Sequence, residues 1–307
     1  MKLLKKIKKL LAGQFFRLAK YKELKKKNYI INFSYEGNVK IKTPKLSIKE
    51  VFFDYGIYAK RSFRLMSRPF SEILLRNIIF NLFKDKYLNS NFSIIDIGSW
   101  IGDNTLIWAQ NLNENSKVFA IEPSEKNINY AKKLAELNNI ENVEWFKEVC
   151  SENVGDKLIF DNQSKNRADN MKFKISNSDN FILSSSIDYL VGNKKNTKIG
   201  LIHIDVEGFE LKVIKGASKI IERDKPTLVF EQHISQEDPN LIFKYIKKFG
   251  YRIFMINEVI PGNDLDCRNF LAFHSSRELP NFEKFTEDKL KNLDISRSTI
   301  GPGLIEF

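Results

Sequence analysis

The segment that most constrains the fold is a short apolar strand that ends in two glycines and continues as a helix. It reads IIDIGSWIGDNT over residues 94–105, with Gly98 and Gly102 four positions apart. A second apolar strand, VFAI, ends just before Glu122, which lies twenty-six residues after Asp96. Glycine in such a turn lets the backbone approach a ligand, and a carboxylate at the next strand end can accept both hydroxyl groups of a ribose. The pattern predicts a nucleotide pocket, although α/β proteins without a nucleotide also contain such a turn.

The spacing of the glycines and the charge beside them narrow the choice of ligand. The pattern is G-x-x-x-G and differs from the G-x-G-x-x-G that binds a dinucleotide pyrophosphate. Asp96 would repel a phosphate, so it suits a ligand that carries positive charge. S-adenosylmethionine carries an ammonium and a sulfonium group and is therefore the predicted ligand. We expect a side chain at Gly98 to fill space that this ligand needs.

A second block of the same kind lies at residues 199–233. Residues 199–205 form an apolar strand, the acidic turn DVEG follows, and an amphipathic helix begins near residue 209. A further apolar strand begins at Pro226 and ends at the charged sequence EQH. Because the carboxyl ends of parallel strands meet at one edge of a sheet, we expect the polar residues of both blocks to face one crevice.

Five segments together resemble the FkbM-type S-adenosylmethionine-dependent O-methyltransferases, over roughly residues 90–275. They are Asp96 to Gly102, Glu122-Pro123-Ser124, Ser186-Ile187-Asp188, Asp205-Val206-Glu207-Gly208 and Lys215-Gly216-Ala217. Trp100 stands where the family usually has Asn, and His203 where it often has Lys. The resemblance implies S-adenosylmethionine as cofactor and methyl transfer to a hydroxyl of a sugar, glycan precursor or other small molecule.

The alternation of strands and helices between residues 92 and 274 predicts the fold class. We expect a mostly parallel seven-stranded sheet with helices on both faces and an antiparallel edge hairpin, the Rossmann-like class I methyltransferase fold. The predicted divisions are a basic amphipathic helix at 1–27, strands and a helix packing on the core at 28–91, the methyltransferase domain at 92–274 and a peripheral tail at 275–307.

The candidate site residues follow from the strand ends and from the resemblance. The expected cofactor-binding residues are Asp96, Gly98, Ser99, Gly102, Asn104, Thr105, Glu122, Pro123 and Ser151.

The expected catalytic residues are His233, Asp205 and Glu231. His233 is the preferred general base because imidazole titrates near neutral pH. His203 and Glu207 are expected to bind the acceptor, although His203 could be a structural histidine inside its strand and Glu207 could favour a helix N-terminus. In a less favoured alternative, Asp205, Glu231 and His233 bind Mg²⁺ or Mn²⁺.

The net charge of +12 is concentrated at the N-terminus. Residues 1–27 contain eleven Lys or Arg and one acidic residue, which leaves only +2 for the other 280 residues. The catalytic body therefore lacks the charge of a nucleic-acid-binding surface. Apolar residues of the same segment recur at helical spacing, so this helix could lie on an anionic membrane or pack on protein.

The cysteines and the lack of a Pro-Pro pair limit the compartment and the other classes of function. The two cysteines, Cys150 and Cys267, form no C-x-x-C pair, which favours a reducing compartment. We therefore expect a cytoplasmic protein, peripheral on the inner face of the membrane if residues 1–27 bind lipid. A nucleic-acid amino-methyltransferase would normally carry Asn-Pro-Pro-Tyr or Asp-Pro-Pro-Tyr, and the chain has no Pro-Pro pair. A nucleotide-binding or membrane-tethered module without catalysis is the other alternative, and the sequence does not indicate an oligomeric state.

Overall fold

The computed structural model describes three helical positions, five short strands and five longer ranges of the chain. The helical positions are Leu75, Ile79 and Leu82, and the strands are 31–33, 38–41, 52–54, 173–175 and 299–306. The longer ranges are 91–160, 181–194, 197–233, 239–258 and 267–277. The predicted helix at residues 1–27 lies outside the described residues.

The segment before the core contains a small antiparallel sheet. Its strands, in the order β1-β2-β3, are β1 (Ile31–Phe33), β2 (Asn38–Ile41) and β3 (Phe52–Asp54). Short strands were expected here. Leu75, Ile79 and Leu82 are helical and fully buried, in agreement with the helix expected within residues 28–91.

The remaining strands build one large sheet and one small sheet. In chain order they are β4 (Phe92–Ile97), β5 (Val118–Ile121), β6 (Val143–Phe146), β7 (Lys157–Phe160), β8 (Phe173–Ile175), β9 (Ile182–Leu183), β10 (Lys198–Ile204), β11 (Thr227–His233), β12 (Tyr251–Glu258), β13 (Cys267–His274) and β14 (Thr299–Glu306).

The large sheet has the order β14-β12-β13-β11-β10-β4-β5-β6. The strands from β11 to β6 pair in parallel, whereas β13, β12 and β14 join them in antiparallel fashion. The predicted mostly parallel sheet with an antiparallel edge hairpin is confirmed. An eighth strand, β14, pairs with β12 at the edge and comes from the stretch that we expected to be a peripheral tail.

The central parallel strands are buried because both faces of the sheet are covered. All residues of β4 and β5 are buried, which is typical of strands that pack against helices on both sides. Side chains alternate along a strand, and Ile94 and Ile95 accordingly belong to two different core clusters.

The helices divide between these two clusters. They are α1 (Thr105–Asn111), α2 (Glu125–Leu137), α3 (Ile187–Leu190), α4 (Glu210–Lys215), α5 (Ser218–Asp224) and α6 (Pro239–Lys247). Trp108 of α1 and Leu134 of α2 pack in the first cluster, whereas Val213 of α4, Ile220 of α5 and Ile242 of α6 pack in the second. Among the described elements, no helix is long and apolar enough to cross a membrane.

The single helix expected over residues 209–222 is instead two helices, α4 and α5, separated at Gly216. The carbonyl of Gly216 accepts the backbone N–H of Asp188 at 2.9 Å. A Cβ on Gly216 would lie 2.2 Å from the carbonyl oxygen of Ser151, so glycine permits this close approach. The helix is interrupted by tertiary contacts, which helical periodicity in the sequence does not reveal.

The small sheet, in the order β8-β7-β9, is antiparallel and interrupts the strand and helix alternation. The polar sequence of residues 162–180 predicts a loop or a short β excursion. Strand β8 within it agrees with the β excursion.

Candidate functional site

The carboxyl ends of four parallel strands meet at one edge of the large sheet. These strands are β4, β5, β10 and β11, and the residues that follow or end them are the ones expected to bind cofactor and acceptor. Ligands of open α/β sheets bind in the crevice at this edge. The topology therefore brings the two sequence blocks into one region.

The glycine turn after β4 is pressed against the acidic turn after β10. Gly98 has a φ of +79°, and a Cβ built on it would lie 1.8 Å from the carbonyl oxygen of Asp205. The backbone N–H of Asp205 also donates to the carbonyl of Ile97 at 2.9 Å. This backbone contact requires glycine at position 98. A side chain there was expected to fill space that the ligand needs, but it would first collide with the Asp205 backbone.

Gly102 serves the packing of the turn. Its φ is +83°, and a Cβ would meet the Ala131 Cβ and the Trp145 ring, each at 3.3 Å. Its nearest neighbours beyond the turn are thus side chains of α2 and β6. Its expected role in cofactor binding stays a prediction. Gly102 would contribute to binding by setting the shape of the turn.

Trp100 joins the turn to the end of β5. It has a φ of 47°, in the left-handed region where Asn is more frequent than bulky residues. Its backbone N–H donates to Glu122 Oε2 at 3.1 Å. The backbone conformation gives a physical reason for the Asn that the resemblance leads one to expect at this position.

Glu122 is buried, with 6% of its surface exposed, and is held by three protein donors. Its Oε1 accepts the backbone N–H of Ser124 at 3.0 Å and the Asn127 amide at 3.1 Å, and its Oε2 accepts the Trp100 N–H. Burial raises the pKa of Glu122 to about 7, against the lowering effect of these hydrogen bonds. Each carboxylate oxygen has two lone pairs, so Oε2 can accept one further hydrogen bond from a ribose.

Asp96 is buried, with 1% exposed, and contacts two residues that were expected in the site. Its Oδ2 accepts the hydroxyl of Thr105, and its Oδ1 lies 2.8 Å from His203 Nδ1. Asp96 and His203 are register partners on β4 and β10. The Trp108 ring packs edge-on against the imidazole of His203, with 5.1 Å between the ring centroids.

These contacts place His203 inside the sheet, as the structural alternative predicted. The imidazole positions the Asp96 carboxylate beside the glycine turn. Its expected role in binding the acceptor is not tested by this geometry and stays a prediction.

The other expected cofactor residues have different surroundings. Ser99 is buried, and its hydroxyl has no hydrogen-bond partner among the described residues. Asn104 is buried, with its backbone N–H donating to Asp103 Oδ1 at 3.1 Å, whereas Pro123 is partly exposed. The buried hydroxyl of Ser151 donates to Asp156 Oδ2 at 3.1 Å.

Three carboxylates meet beyond the glycine turn. Oxygen atoms of Asp205, Glu207 and Glu231 all lie within 4.8 Å of one another. Glu231 is buried, with 8% exposed, and the other two are partly buried. Two of the three expected catalytic residues therefore come together with one expected acceptor-binding residue.

Glu207 lies in the turn before the helix and not in its first helical turn. Glu207 has a φ of 53° in the turn before the helix, and α4 begins only at Glu210. A left-handed residue followed by Gly208, whose φ is 103°, turns the chain sharply and ends the strand geometry. This turn brings Glu207 towards Glu231 on the neighbouring strand.

Glu210 and Gln232 support the acidic turn, and sequence reasoning missed both. Both oxygens of the buried Glu210 carboxylate lie 3.1 Å from the backbone N–H of Gly208, and Gln232 Nε2 donates to Oε2 at 3.2 Å. The pair links the turn after β10 to the end of β11. A carboxylate in the first helical turn beside an acidic loop was the available signal.

His233 is the last residue of β11 and is the register partner of Cys267. Its side chain lies outside the described part of the structure. Its roles as general base and as metal ligand therefore stay predictions.

A family model described as the methyltransferase FkbM domain matches residues 96–253. No curated protein matches the chain.

Solved structures with similar folds include a methyltransferase FkbM from Methylobacillus flagellatus KT, which is 19% identical with a TM-score of 0.45. The alignment covers 60% of this chain and 44% of that one, so it spans less than half of that protein. A precorrin-6y C5,15-methyltransferase from Geobacter metallireducens GS-15 is 10% identical, with a TM-score of 0.40 and coverage of 66% and 88%. An rRNA methylase from Streptococcus thermophilus is 14% identical, with a TM-score of 0.40 and coverage of 62% and 92%.

The domain that the family model matches contains the glycine turn, Glu122 and the acidic turn, which are the segments that carried the resemblance in the sequence. Its mostly parallel sheet with an edge hairpin is the Rossmann-like methyltransferase fold. Because this model matches more than half of the 307 residues, the chain belongs to the FkbM methyltransferase family.

Proposed function

We propose that this protein transfers the methyl group of S-adenosylmethionine to a hydroxyl of a sugar, a glycan precursor or another small molecule. The observation that carries the proposal is the group of three carboxylates, Asp205, Glu207 and Glu231, directly beside the glycine turn. Carboxylates accept hydrogen bonds from hydroxyl groups, so this group suits an acceptor rich in hydroxyls.

The cofactor that the family implies suits the residues of the turn. The buried Ser99 hydroxyl, without a partner among the described residues, supplies an unused polar group where a ligand would lie. Glu122 retains acceptor capacity for the ribose, and Asp96 supplies negative charge. When bound, S-adenosylmethionine supplies an electrophilic methyl group.

The acceptor oxygen must lose a proton because a neutral alcohol is a poor nucleophile. Asp205 and Glu231 would orient the acceptor hydroxyl through hydrogen bonds. His233 is the preferred base by its intrinsic pKa, since imidazole titrates near neutrality. The carboxylate of Asp205, which follows β10 beside the glycine turn, is the second candidate for this role.

The proposed reaction is tested by incubating the full chain with S-adenosylmethionine and a panel of nucleotide-activated sugars and glycolipids, with release of S-adenosylhomocysteine as the readout. We expect turnover with at least one hydroxyl acceptor and its loss in Asp205→Asn. Cofactor binding without turnover across the panel, or turnover only with nucleic acid, would contradict the proposal.

The cofactor site itself is tested by Glu122→Ala. Loss of hydrogen bonds between the carboxylate and the ribose should weaken S-adenosylmethionine binding by about 1.5–3 kcal/mol, measured by calorimetry. Glu125→Ala is the matched control because it removes an exposed carboxylate three residues further along, which pairs with Lys147. Unchanged affinity in Glu122→Ala would remove Glu122 from the site.

A further inference from the structure

The three carboxylates beyond the glycine turn concentrate negative charge in a small, partly buried space. Their oxygens lie within 4.8 Å of one another, and Glu231 is almost fully buried. Like charges at this distance raise one another's energy, and burial adds to the cost because it removes water. A cation bound between the three groups would offset this charge.

Asn269, on the strand next to Glu231, carries a buried amide oxygen. Asn269 of β13 is the register partner of Glu231 of β11, and antiparallel register partners point to the same face of the sheet. Asn269 is 4% exposed, and its Oδ1 has no hydrogen-bond partner among the described residues. Buried carbonyl oxygens normally have a donor or a cation as a partner.

The turn after β10 and the neighbouring positions of β11 and β13 form a row across the sheet, and this row ends at the glycine turn. Ile204 and Phe230 are register partners on β10 and β11, so Asp205 and Glu231 follow them side by side. Glu231 is in turn opposite Asn269. At the other end of the row, the Asp205 backbone contacts the position of Gly98. The oxygens thus lie next to the region where the family's cofactor would bind.

The chemistry and spacing of these oxygens suit a hard divalent cation. Carboxylate and amide oxygens are the ligands that Mg²⁺ and Mn²⁺ prefer. Cysteine and histidine ligands would instead favour other metals, such as zinc. Opposite ligands of an octahedral Mg²⁺ are about 4.2 Å apart, twice the metal–oxygen distance of about 2.1 Å. A group of oxygens within 4.8 Å can therefore close around one ion with small side-chain movements.

We infer that Asp205, Glu207, Glu231 and Asn269 form a binding site for Mg²⁺ or Mn²⁺. This ligand set differs from the sequence-based alternative, because it consists of oxygen atoms and includes Glu207 and Asn269 in place of His233. Binding of the ion does not depend on the reaction. Its use in holding the acceptor hydroxyl and lowering the pKa of that group rests on the proposed function.

The site is tested with Mn²⁺ alone, titrated into the full chain without cofactor and followed by the electron paramagnetic resonance signal of free Mn²⁺. We expect one saturable Mn²⁺ per chain, displaced by Mg²⁺. Asn269→Leu and Glu207→Gln should each weaken Mn²⁺ binding by about 10-fold or more, since even residues that only support ligands change affinity by about 10- to 100-fold. Asn269→Asp keeps the ligand oxygen and should retain binding.

Glu222→Gln is the matched control because it makes the same change of charge on α5. That helix ends before the start of β11, at the opposite edge of the sheet, and Glu222 is exposed. Its Mn²⁺ affinity should equal that of the unmodified chain.

Absence of saturable Mn²⁺ binding would overturn the inference, as would equal affinity in the unmodified chain and Glu207→Gln. If circular dichroism shows that Asn269→Leu does not fold, Glu207→Gln decides the outcome, because its residue lies in a partly exposed turn. S-adenosylmethionine affinity, measured separately in the presence of a chelator, reports failure of the cofactor site without affecting the Mn²⁺ result.

Discussion

The buried carboxylate of Glu122 contacts the glycine turn and makes the stability of the chain depend on pH. It accepts three protein hydrogen bonds, yet burial is the larger influence and raises its pKa from 4.5 to about 7. Between these two pH values the folded chain keeps a proton on Glu122 that the unfolded chain has released. Rising pH in this window therefore favours the unfolded chain.

We predict that the contribution of Glu122 to the free energy of unfolding is fully present below pH 4.5 and decreases until about pH 7. The shift in pKa corresponds to a change on the order of 3 kcal/mol. Urea unfolding of the unmodified chain and of Glu122→Gln between pH 4 and 8 measures it as the difference between the two. Glu125→Gln, which removes an exposed carboxylate, should show no such decrease between pH 4.5 and 7, and a constant difference for Glu122→Gln would contradict the prediction.

Thr105 offers a second test at the residue scale. Its hydroxyl donates to the buried carboxylate of Asp96, so Thr105→Val should leave that carboxylate short of a donor and destabilise the chain by about 1–3 kcal/mol. Thr227 is equally buried, but its hydroxyl has no hydrogen-bond partner among the described residues. Thr227→Val should leave the stability unchanged or raise it. Equal losses in urea unfolding would show that the bond to Asp96 contributes nothing.

At the scale of elements, the strand, turn and helix around Gly98 depend on contact with the turn after β10. A comparison of two glycines distinguishes the cost of a left-handed backbone from the cost of a steric clash. Gly98 and Gly155 have φ values of +79° and +86°, but a Cβ on Gly98 meets the Asp205 carbonyl, whereas one on Gly155 meets nothing within 4 Å.

Gly155→Ala should therefore cost only the strain of a left-handed alanine, about 1–2 kcal/mol. Gly98→Ala should cost about 1–3 kcal/mol more because the two turns must move apart. Urea unfolding of both variants measures the two costs. Similar values would mean that the contact between the turns is not tight in solution.

At the scale of the whole molecule, charge separates residues 1–27 from the rest. The segment carries +10 of the total +12 and has apolar residues at helical spacing. We propose that it binds an anionic membrane surface and is dispensable for the chemical step.

Sedimentation with liposomes, comparing the full chain with a chain that begins at Asn28, tests this proposal. The full chain should bind anionic vesicles more strongly than neutral ones. Added salt should weaken binding, because the Debye length falls from about 10 Å at 0.1 M to about 3 Å at 1 M. Burial of apolar residues should leave a remainder that resists salt. Equal binding by both chains would contradict the proposal, and loss of turnover in the shorter chain would show that the segment completes the fold or an interface.

Most of the sheet could be predicted from sequence because its signals are local. The mostly apolar runs IIDI and VFAI are typical of strands that are buried on both faces of a parallel sheet. The sequence of residues 259–266 carries no helical pattern, which favours a hairpin between the strands on either side. The glycine turn and Glu122 are also local signals, since a strand, a turn and a strand-end carboxylate follow one another along the chain. Strand β14 was missed because the segment around it is charged and lacks a continuous apolar run.

The sequence by itself thus determined the fold class, the family and which residues follow the parallel strands at their carboxyl ends, since these depend on periodicity and on short motifs. Only the tertiary structure decided which polar groups touch. The pairing of Asp96 with His203 depends on the register of β4 and β10, and the approach of Asn269 to Glu231 depends on the register of β11 and β13. Residues far apart in the chain become neighbours through strand order and register, and these arise from the packing of the whole sheet.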